Sequence, residues 1–335
     1  MARRLERKRA VITGASSGVG RAIARAFGAE GAGVALIARD AEGLEAAAFE
    51  VRSSGGSAMT FVADVADPGA LELAADQVAA EWGGIDIWVN DAMVSVFAPF
   101  DEITPDEYRR VMEVNFLGYV YGTRAALKHM RRQSEAVILQ IGSAVAYRSI
   151  PLQSAYAASK AAIRAFTDSL RSELIHERSK VKICHLQLPA VNTPQFDVVR
   201  NKLGDHPHPV PPVYQPEIIA AAAVKAALRP KREIWIGWST FEAILGQRLI
   251  PGFLDRYLAR RAWDSQKTRR LPPGHPLHHP DNLDGPVPGD KGAHGPFDAE
   301  ARSPQREWRL RAARLVALGA IALALAGLLV RRATA

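Results

Sequence analysis

Three side chains between positions 143 and 160 have the chemistry to move a proton: the Ser143 hydroxyl, the Tyr156 phenol and the Lys160 ammonium. Tyr156 and Lys160 stand four apart in an alanine-rich run without a breaker, so on a helix they share one face. Ser143 follows the apolar run 136–141 and Gly142, which predicts a buried strand ending beside that helix. The strand end then presents a hydroxyl toward a phenol and an ammonium. A nearby Lys160 cation favours phenolate, so the arrangement predicts a lowered Tyr156 pKa, suited to acid–base work near neutral pH. Tyr-x-x-x-Lys by itself is a common pattern, and the surrounding elements decide its meaning.

A second chemical feature lies near the N-terminus. Thr13-Gly14-Ala15-Ser16-Ser17-Gly18-Val19-Gly20 follows a short apolar strand over 8–14 and opens a helical run to about residue 30. Its glycines permit a tight turn and close approach of a pyrophosphate to a helix N-terminus. The next strand, 34–38, ends at Ala38-Arg39. An acid at such a strand end bonds a ribose 2′-hydroxyl, whereas a guanidinium suits a 2′-phosphate. Arg39 therefore favours NADP(H) over NAD(H).

The remaining pattern supplies a frame for both features. Strands are expected at 58–63, 85–90, 136–141, 181–188 and 233–236. They alternate with helices at 41–52, 68–82, 104–130, 154–178 and 216–228. Strict alternation predicts an α/β fold, a Rossmann-type doubly wound parallel sheet of about seven strands with helices on both faces. The formal net charge of +8 is concentrated at the two ends of the chain. That argues for a surface or membrane role more than for a nucleic-acid groove. The lone Cys184 sits in an apolar strand and reads as a buried, inert thiol. The basic N-terminus lacks the apolar run of a signal peptide.

In order and spacing, Thr13-Gly14-x-x-x-Gly18-x-Gly20, Asp64-Val65, Asn90-Asp91-Ala92, Asn115, Ser143 and Tyr156-x-x-x-Lys160 resemble the short-chain dehydrogenase/reductase family over roughly residues 5–240. The resemblance implies that Tyr156 exchanges a proton with the substrate oxygen. Lys160 would hold the nicotinamide ribose and lower the tyrosine pKa, and Ser143 would bind the substrate carbonyl or alcohol oxygen. Asn115 would hold a water linking Lys160 to solvent. Gly14, Ser16, Ser17, Gly18, Val19, Gly20, Arg39, Asp64, Val65, Asn90, Ala92 and Thr193 would join Tyr156 and Lys160 in binding the cofactor. Asp64 would meet the adenine, Asn90 would line the groove and Thr193 would bond the carboxamide. Two departures stand out. Asn90-Asp91-Ala92 replaces the usual Asn-Ala-Gly, and Leu188-Pro189 stands where Pro-Gly is usual, which puts that loop's path in question.

Substrate selection falls to the less patterned segments 93–100, 144–152 and 194–216. The last is proline-rich and reads as a stiff flap. Its histidines lack a regular ligand spacing and read as solvated, with no metal site. Val94, Val96, Phe97, Leu152 and Phe196 point to an apolar substrate. Beyond the catalytic domain (1–240), a helical, amphipathic extension covers 241–270 and is broken at Pro251-Gly252. Residues 271–304, rich in Pro and Gly, read as a disordered linker.

The basic terminal segment 305–335 contains sixteen uncharged residues, 315–330. As a helix these reach about 24 Å against roughly 30 Å of hydrocarbon, and flanking arginines can snorkel. They are expected to anchor the chain to a membrane by its C-terminus, with the catalytic domain on the cytoplasmic side. A helix lying in the interface is the alternative.

The expected activity is NADP(H)-linked interconversion of a secondary alcohol and a ketone on an apolar, lipid-like substrate. Alternatives are a sugar or polyol dehydrogenase of the same fold and a catalytically silent nucleotide-binding scaffold at a membrane. The family resemblance also implies a homodimer or homotetramer.

Overall fold

The computed structural model describes residues 3–268, 280–304 and 307. Residues 1–301 form one compact unit and 302–335 another. In the first, β1 (Arg9–Thr13), α1 (Gly18–Ala29), β2 (Gly33–Ala38), α2 (Ala41–Ser53), β3 (Ser57–Val62), α3 (Pro68–Trp82) and β4 (Ile87–Asn90) follow in strict alternation. Next come α4 (Pro105–Met112), α5 (Gly118–Met130), β5 (Ala136–Ile141), α6 (Ser154–His176), β6 (Val181–Gln187), α7 (Pro216–Leu228), β7 (Glu233–Trp235), α8 (Trp238–Leu249) and α9 (Pro251–Ser265).

The seven strands form one parallel sheet in the order β3-β2-β1-β4-β5-β6-β7. Alternate residues of β1 feed opposite layers: Ile12 joins the core with Phe27, Val51 and Ile219, and Val11 joins that with Leu71, Trp88 and Ile138. Helices α1, α2 and α7 cover one face, and α3, α5 and α6 the other. The sequence order reverses between β1 and β4, where a doubly wound sheet opens a crevice at its carboxyl edge.

Local signals explain several helix starts. Asp67 caps α3, accepting from Gly69 and Ala70 N–H ahead of Pro68 at the first position. Thr104 and Glu107 form a reciprocal capping box at α4. The helix expected over 104–130 is interrupted by a π turn at Glu113–Leu117, which contains Asn115.

The reading of 271–304 as a disordered linker is corrected over 280–301. This stretch folds back onto the sheet's carboxyl edge, burying Leu283, Ala293 and Phe297. Nor is His206 solvated: it is 2% exposed and bonds Asp197. Among the described residues, no group of three or more His, Cys, Asp and Glu forms a metal cluster. None of the helices among them is long and apolar enough to cross a membrane. The apolar run 315–330 lies outside the described residues.

Candidate active site

Three elements bring the proton-handling groups together. β5 ends at Ile141, and Ser143 follows in extended backbone as the cap of a short 3-10 turn, accepting from Val145 N–H. The first turns of α6 carry Tyr156 and Lys160. The Lys160 side chain is 2% exposed. Its Nζ donates to the Ile141 carbonyl at 2.9 Å and to the Tyr119 hydroxyl at 3.1 Å, and lies 5.7 Å from the Tyr156 ring centroid. Tyr119 in turn donates to the same carbonyl at 2.9 Å. The ammonium is thus fixed by β5 and α5 and faces the phenol ring from inside the fold.

Asn115 acts one step behind this group. Its Oδ1 accepts from Val94 N–H at 2.8 Å, while Nδ2 donates to the Val94 carbonyl at 2.9 Å and to Ser159 Oγ at 3.0 Å. Ser159 donates to the Tyr156 carbonyl at 2.7 Å. Asn115 therefore ties the loop after β4 to the start of α6. It is fully buried and does not line the cavity.

The electrostatics reverse one expectation. Burial, aided by the Asp91 carboxylate, pushes the Tyr156 phenol up to about 12 against a hydrogen bond with Ser143 that works in the other direction. The lowered pKa expected from Lys160 is not found. Asp91 supplies part of the reason: buried opposite the ammonium, it offsets the cation that was expected to favour phenolate. Burial lifts Asp91 itself to about 7 against the pull of Lys160. Burial takes Lys160 down to about 8, with Asp91 holding it up.

Ser143, Tyr156 and Lys160 open on one cavity of about 530 Å³. It runs along the carboxyl edge of the sheet to the turn before α1, where Gly14, Ser16, Ser17, Gly18 and Val19 line it. Gly14 has φ +71°, and a Cβ there would stand 2.7 Å from Ala92 Cα. Gly18 has φ +57°, with Thr193 against it. These two positions need glycine, and the turn they form leaves the N-terminus of α1 facing the cavity. Ala38, Arg39, Asp64 and Val65 complete this end. Asp64 accepts from Ala66 N–H at 2.9 Å and from Arg110, and lies 3.9 Å from Arg39.

A model of the short chain dehydrogenase family matches residues 8–204. The chain belongs to that family. It is 34% identical over 262 residues to an uncharacterized oxidoreductase of Bacillus subtilis (strain 168), covering 78% of this chain and 74% of the relative. It is 33% identical over 256 residues to 3beta-hydroxysteroid dehydrogenase 1 of Eggerthella lenta, covering 74% of this chain and 97% of that one. Among solved structures it resembles an alcohol dehydrogenase from Thermococcus sibiricus complexed with 5-hydroxy-NADP. The TM-score is 0.60 at 29% identity, over 68% of this chain and 95% of that one.

Within this short chain dehydrogenase, the departures are local. Ala92 and Thr193 both line the cavity, as do Leu188 and Pro189, so the altered loop still delivers Thr193 beside Gly18. Asn90 is corrected. It sits inside the core, accepting from Trp88 Nε1 at 2.8 Å and donating to Thr123 and Gln140 at 3.1 and 2.9 Å. Strand alternation explains this: Asn90 turns toward α5, and the next residue, Asp91, faces the groove. Gly20 also stands behind the lining. A Cβ there would meet the Gly14 carbonyl oxygen at 2.4 Å, so its role is close packing of α1 on the turn.

Sequence reasoning missed Asp91, Tyr119 and the lining residues contributed by α9 and by 282–291. Tyr119 carried a signal, four residues beyond Asn115 on the same helical run. Of the apolar residues singled out for the substrate side, Val94, Phe97 and Phe196 line the cavity, whereas Val96 and Leu152 belong to the core. Leu254, Tyr257 and Leu258 of α9 add to that lining.

Proposed function

We propose that the chain is an NADP(H)-dependent oxidoreductase that interconverts a secondary alcohol and a ketone on an apolar substrate. One observation carries this reading. A single cavity joins the Ser143–Tyr156–Lys160 corner to the glycine-rich turn and Arg39, and its walls are mainly apolar. The residues fit a nicotinamide dinucleotide. Gly14 and Gly18 form a cradle that a side chain would fill, and the N-terminus of α1 suits a pyrophosphate. Arg39 is the cation that favours a 2′-phosphate over a bare ribose.

A nicotinamide bound there supplies or accepts the hydride. The chain's own groups handle the proton. With its pKa raised to about 12, Tyr156 holds a proton at neutral pH and can pass it to a substrate carbonyl oxygen. Ser143 orients that oxygen by donating to it. Lys160, still mostly charged at pH 7, positions the cofactor ribose and stabilises the phenolate once the proton has left. At neutral pH the phenol is therefore in the proton-donating form that ketone reduction requires.

The likeness to a hydroxysteroid dehydrogenase supports an apolar, ring-bearing substrate over a sugar. Turnover of cyclic and long-chain ketones by the full chain with NADPH tests this. Activity on apolar ketones well above that on small polar carbonyls is expected, and the reverse ranking refutes it. The run 315–330 is proposed to tether the enzyme to a membrane with its catalytic domain on the cytoplasmic side. Flotation of the full chain with vesicles, lost when 305–335 is removed, is the expected result.

A further inference from the structure

Residues 281–298 cross the cavity from one side of the sheet to the other. Leu283 is buried in the apolar layer that contains Val11 and Trp88, and Ala293 in the opposite layer with Ile12 and Phe27. From Asn282 to the second anchor the segment runs over the carboxyl edge of the strands, where Asn282, Pro286, Val287 and Lys291 form part of the cavity wall.

Two of its attachments fall on residues lining the dinucleotide end of the groove, Gly18 and Arg39, and the others on residues behind that lining. The Gly292 carbonyl accepts from Gly18 N–H, the first amide of α1, at 3.0 Å. The Asn282 carbonyl accepts from Arg39, and the Leu283 carbonyl from Arg39 at 3.4 Å and from Arg110 at 3.0 Å. Asp290 pairs with Arg21, which is 3% exposed and retains Glu50 at 2.8 Å as a second partner. At the far end, Asp298 accepts from Asn192 and Gln215, each at 2.8 Å, and pairs with His294 at 3.0 Å.

The kind of contact matters as much as the number. Leu283, Ala293 and Phe297 seat the segment in apolar surroundings. Only the contacts to Gly18 and Arg39 fall on cavity-lining groups that a dinucleotide would address, while those of Asp290 with Arg21 and of Asp298 with Asn192 and Gln215 lie off the lining and can hold the segment closed with the nucleotide beneath it. Such contacts exchange readily with water or with phosphate oxygens. The cavity persists beneath the crossing, so the segment roofs the groove and leaves its floor open.

We infer that residues 281–298 form a strap that closes over the dinucleotide and must lift for the cofactor to enter or leave. This rests on the cofactor reading proposed above. A roof of this kind slows entry and exit together. A segment that instead occupied the nucleotide's place would slow entry alone.

The test is stopped-flow binding and displacement of NADPH on the full chain, followed by nucleotide fluorescence. Intact protein is compared with the strap variants Asp290→Asn, Asp298→Asn and the pair combined. None of these side chains lines the cavity. Loss of a charge-assisted anchor shifts an open–closed equilibrium by about tenfold, so the association and dissociation rate constants should both rise by about that factor, leaving the equilibrium affinity little changed. Rate constants equal to those of the intact chain overturn the strap. Faster association with unchanged dissociation also overturns it, in favour of a competing segment. Hydrogen exchange without nucleotide gives an independent reading: amides of 281–298 should exchange about tenfold faster in the combined variant than in the intact chain, and equal exchange there overturns the inference. If neither NADPH nor NADH binds any of the proteins, the cofactor reading itself is at fault.

Discussion

Asp91→Asn isolates the buried charge that the sequence motif conceals. The substitution keeps the side chain's shape and an oxygen to accept from Gly20 N–H, and removes the negative charge opposite Lys160. In the native chain, Asp91 raises both neighbours: it holds the Lys160 ammonium near 8 against burial and pushes the Tyr156 phenol toward 12. Without it both must fall. One pKa unit corresponds to about 1.4 kcal/mol, and a close pair of unit charges in a protein interacts by a few kcal/mol at an effective dielectric near 20. Loss of the carboxylate should therefore lower Lys160 by about one unit or more, from about 8 to about 7 or below.

The assay is kcat/KM for NADPH-dependent ketone reduction between about pH 5.5 and 10 at constant ionic strength. Native enzyme should lose activity as pH rises through about 8, where Lys160 loses its charge. The variant should begin that decline about one unit lower. The native profile should also carry a second inflection near 7, where Asp91 titrates, whereas the variant should show the single limb of Lys160. An alkaline limb that stays in place or moves upward would refute the coupling of these three groups.

Other substitutions test separate parts of the structure. Buried His185 is 2% exposed, its Nε2 has no hydrogen-bond partner among the described residues, and burial lowers its pKa to about 3. The unfolded chain therefore takes up a proton between about pH 6.5 and 3 that the folded chain refuses, and stability falls as pH drops through that window. His185→Gln should remove roughly 2–3 kcal/mol of the fall between about pH 7 and 4.5, read from urea midpoints; equal falls in both proteins would contradict it. Gly20→Ala places a methyl 2.4 Å from the Gly14 carbonyl oxygen and 2.8 Å from Asp91. Overpacking of about 1–3 kcal/mol should lower Tm by a few degrees and weaken NADPH binding, and unchanged titration and melting curves would show that the turn is not the cradle. Arg39→Ala should weaken NADPH binding about tenfold or more while sparing NADH; an equal loss for both nucleotides would refute a 2′-phosphate contact.

The sheet and the catalytic corner were legible because periodicity and spacing encode them directly. Apolar runs of four to seven residues alternate with helical stretches, and the topology follows. Tyr156 and Lys160 share a helix face by their spacing alone, and Ser143 follows from the end of β5. The sign of the Tyr156 shift was not legible. It depends first on how deeply the phenol is buried, and then on Asp91 facing the groove while Asn90 turns into the core, a choice of strand face made at the last residue of β4. The interruption at Asn115 was equally hidden, because a π turn uses the same residues as an ordinary helix. Residues 281–298 were misread for a different physical reason. They lack helical or strand periodicity and carry few large apolar side chains, so their composition resembles a linker. Their order comes from Leu283, Ala293 and Phe297 at isolated points, and from carbonyls and carboxylates meeting Gly18, Arg21, Arg39 and Arg110. Those partners lie more than 150 residues away in sequence.

Tyr156→Phe tests the central claim most directly. The substitution removes the hydroxyl that carries the proton and leaves the ring beside Lys160 and the wall of the cavity in place. NADPH affinity and turnover of an apolar ketone should be measured on the same preparation. The expected result is binding within about twofold of the native chain and a loss of kcat of about 100-fold or more, the usual range for removing a positioned acid. Turnover that survives the substitution, with cofactor binding intact, would show that the proton comes from another group and that this corner is not the catalytic site.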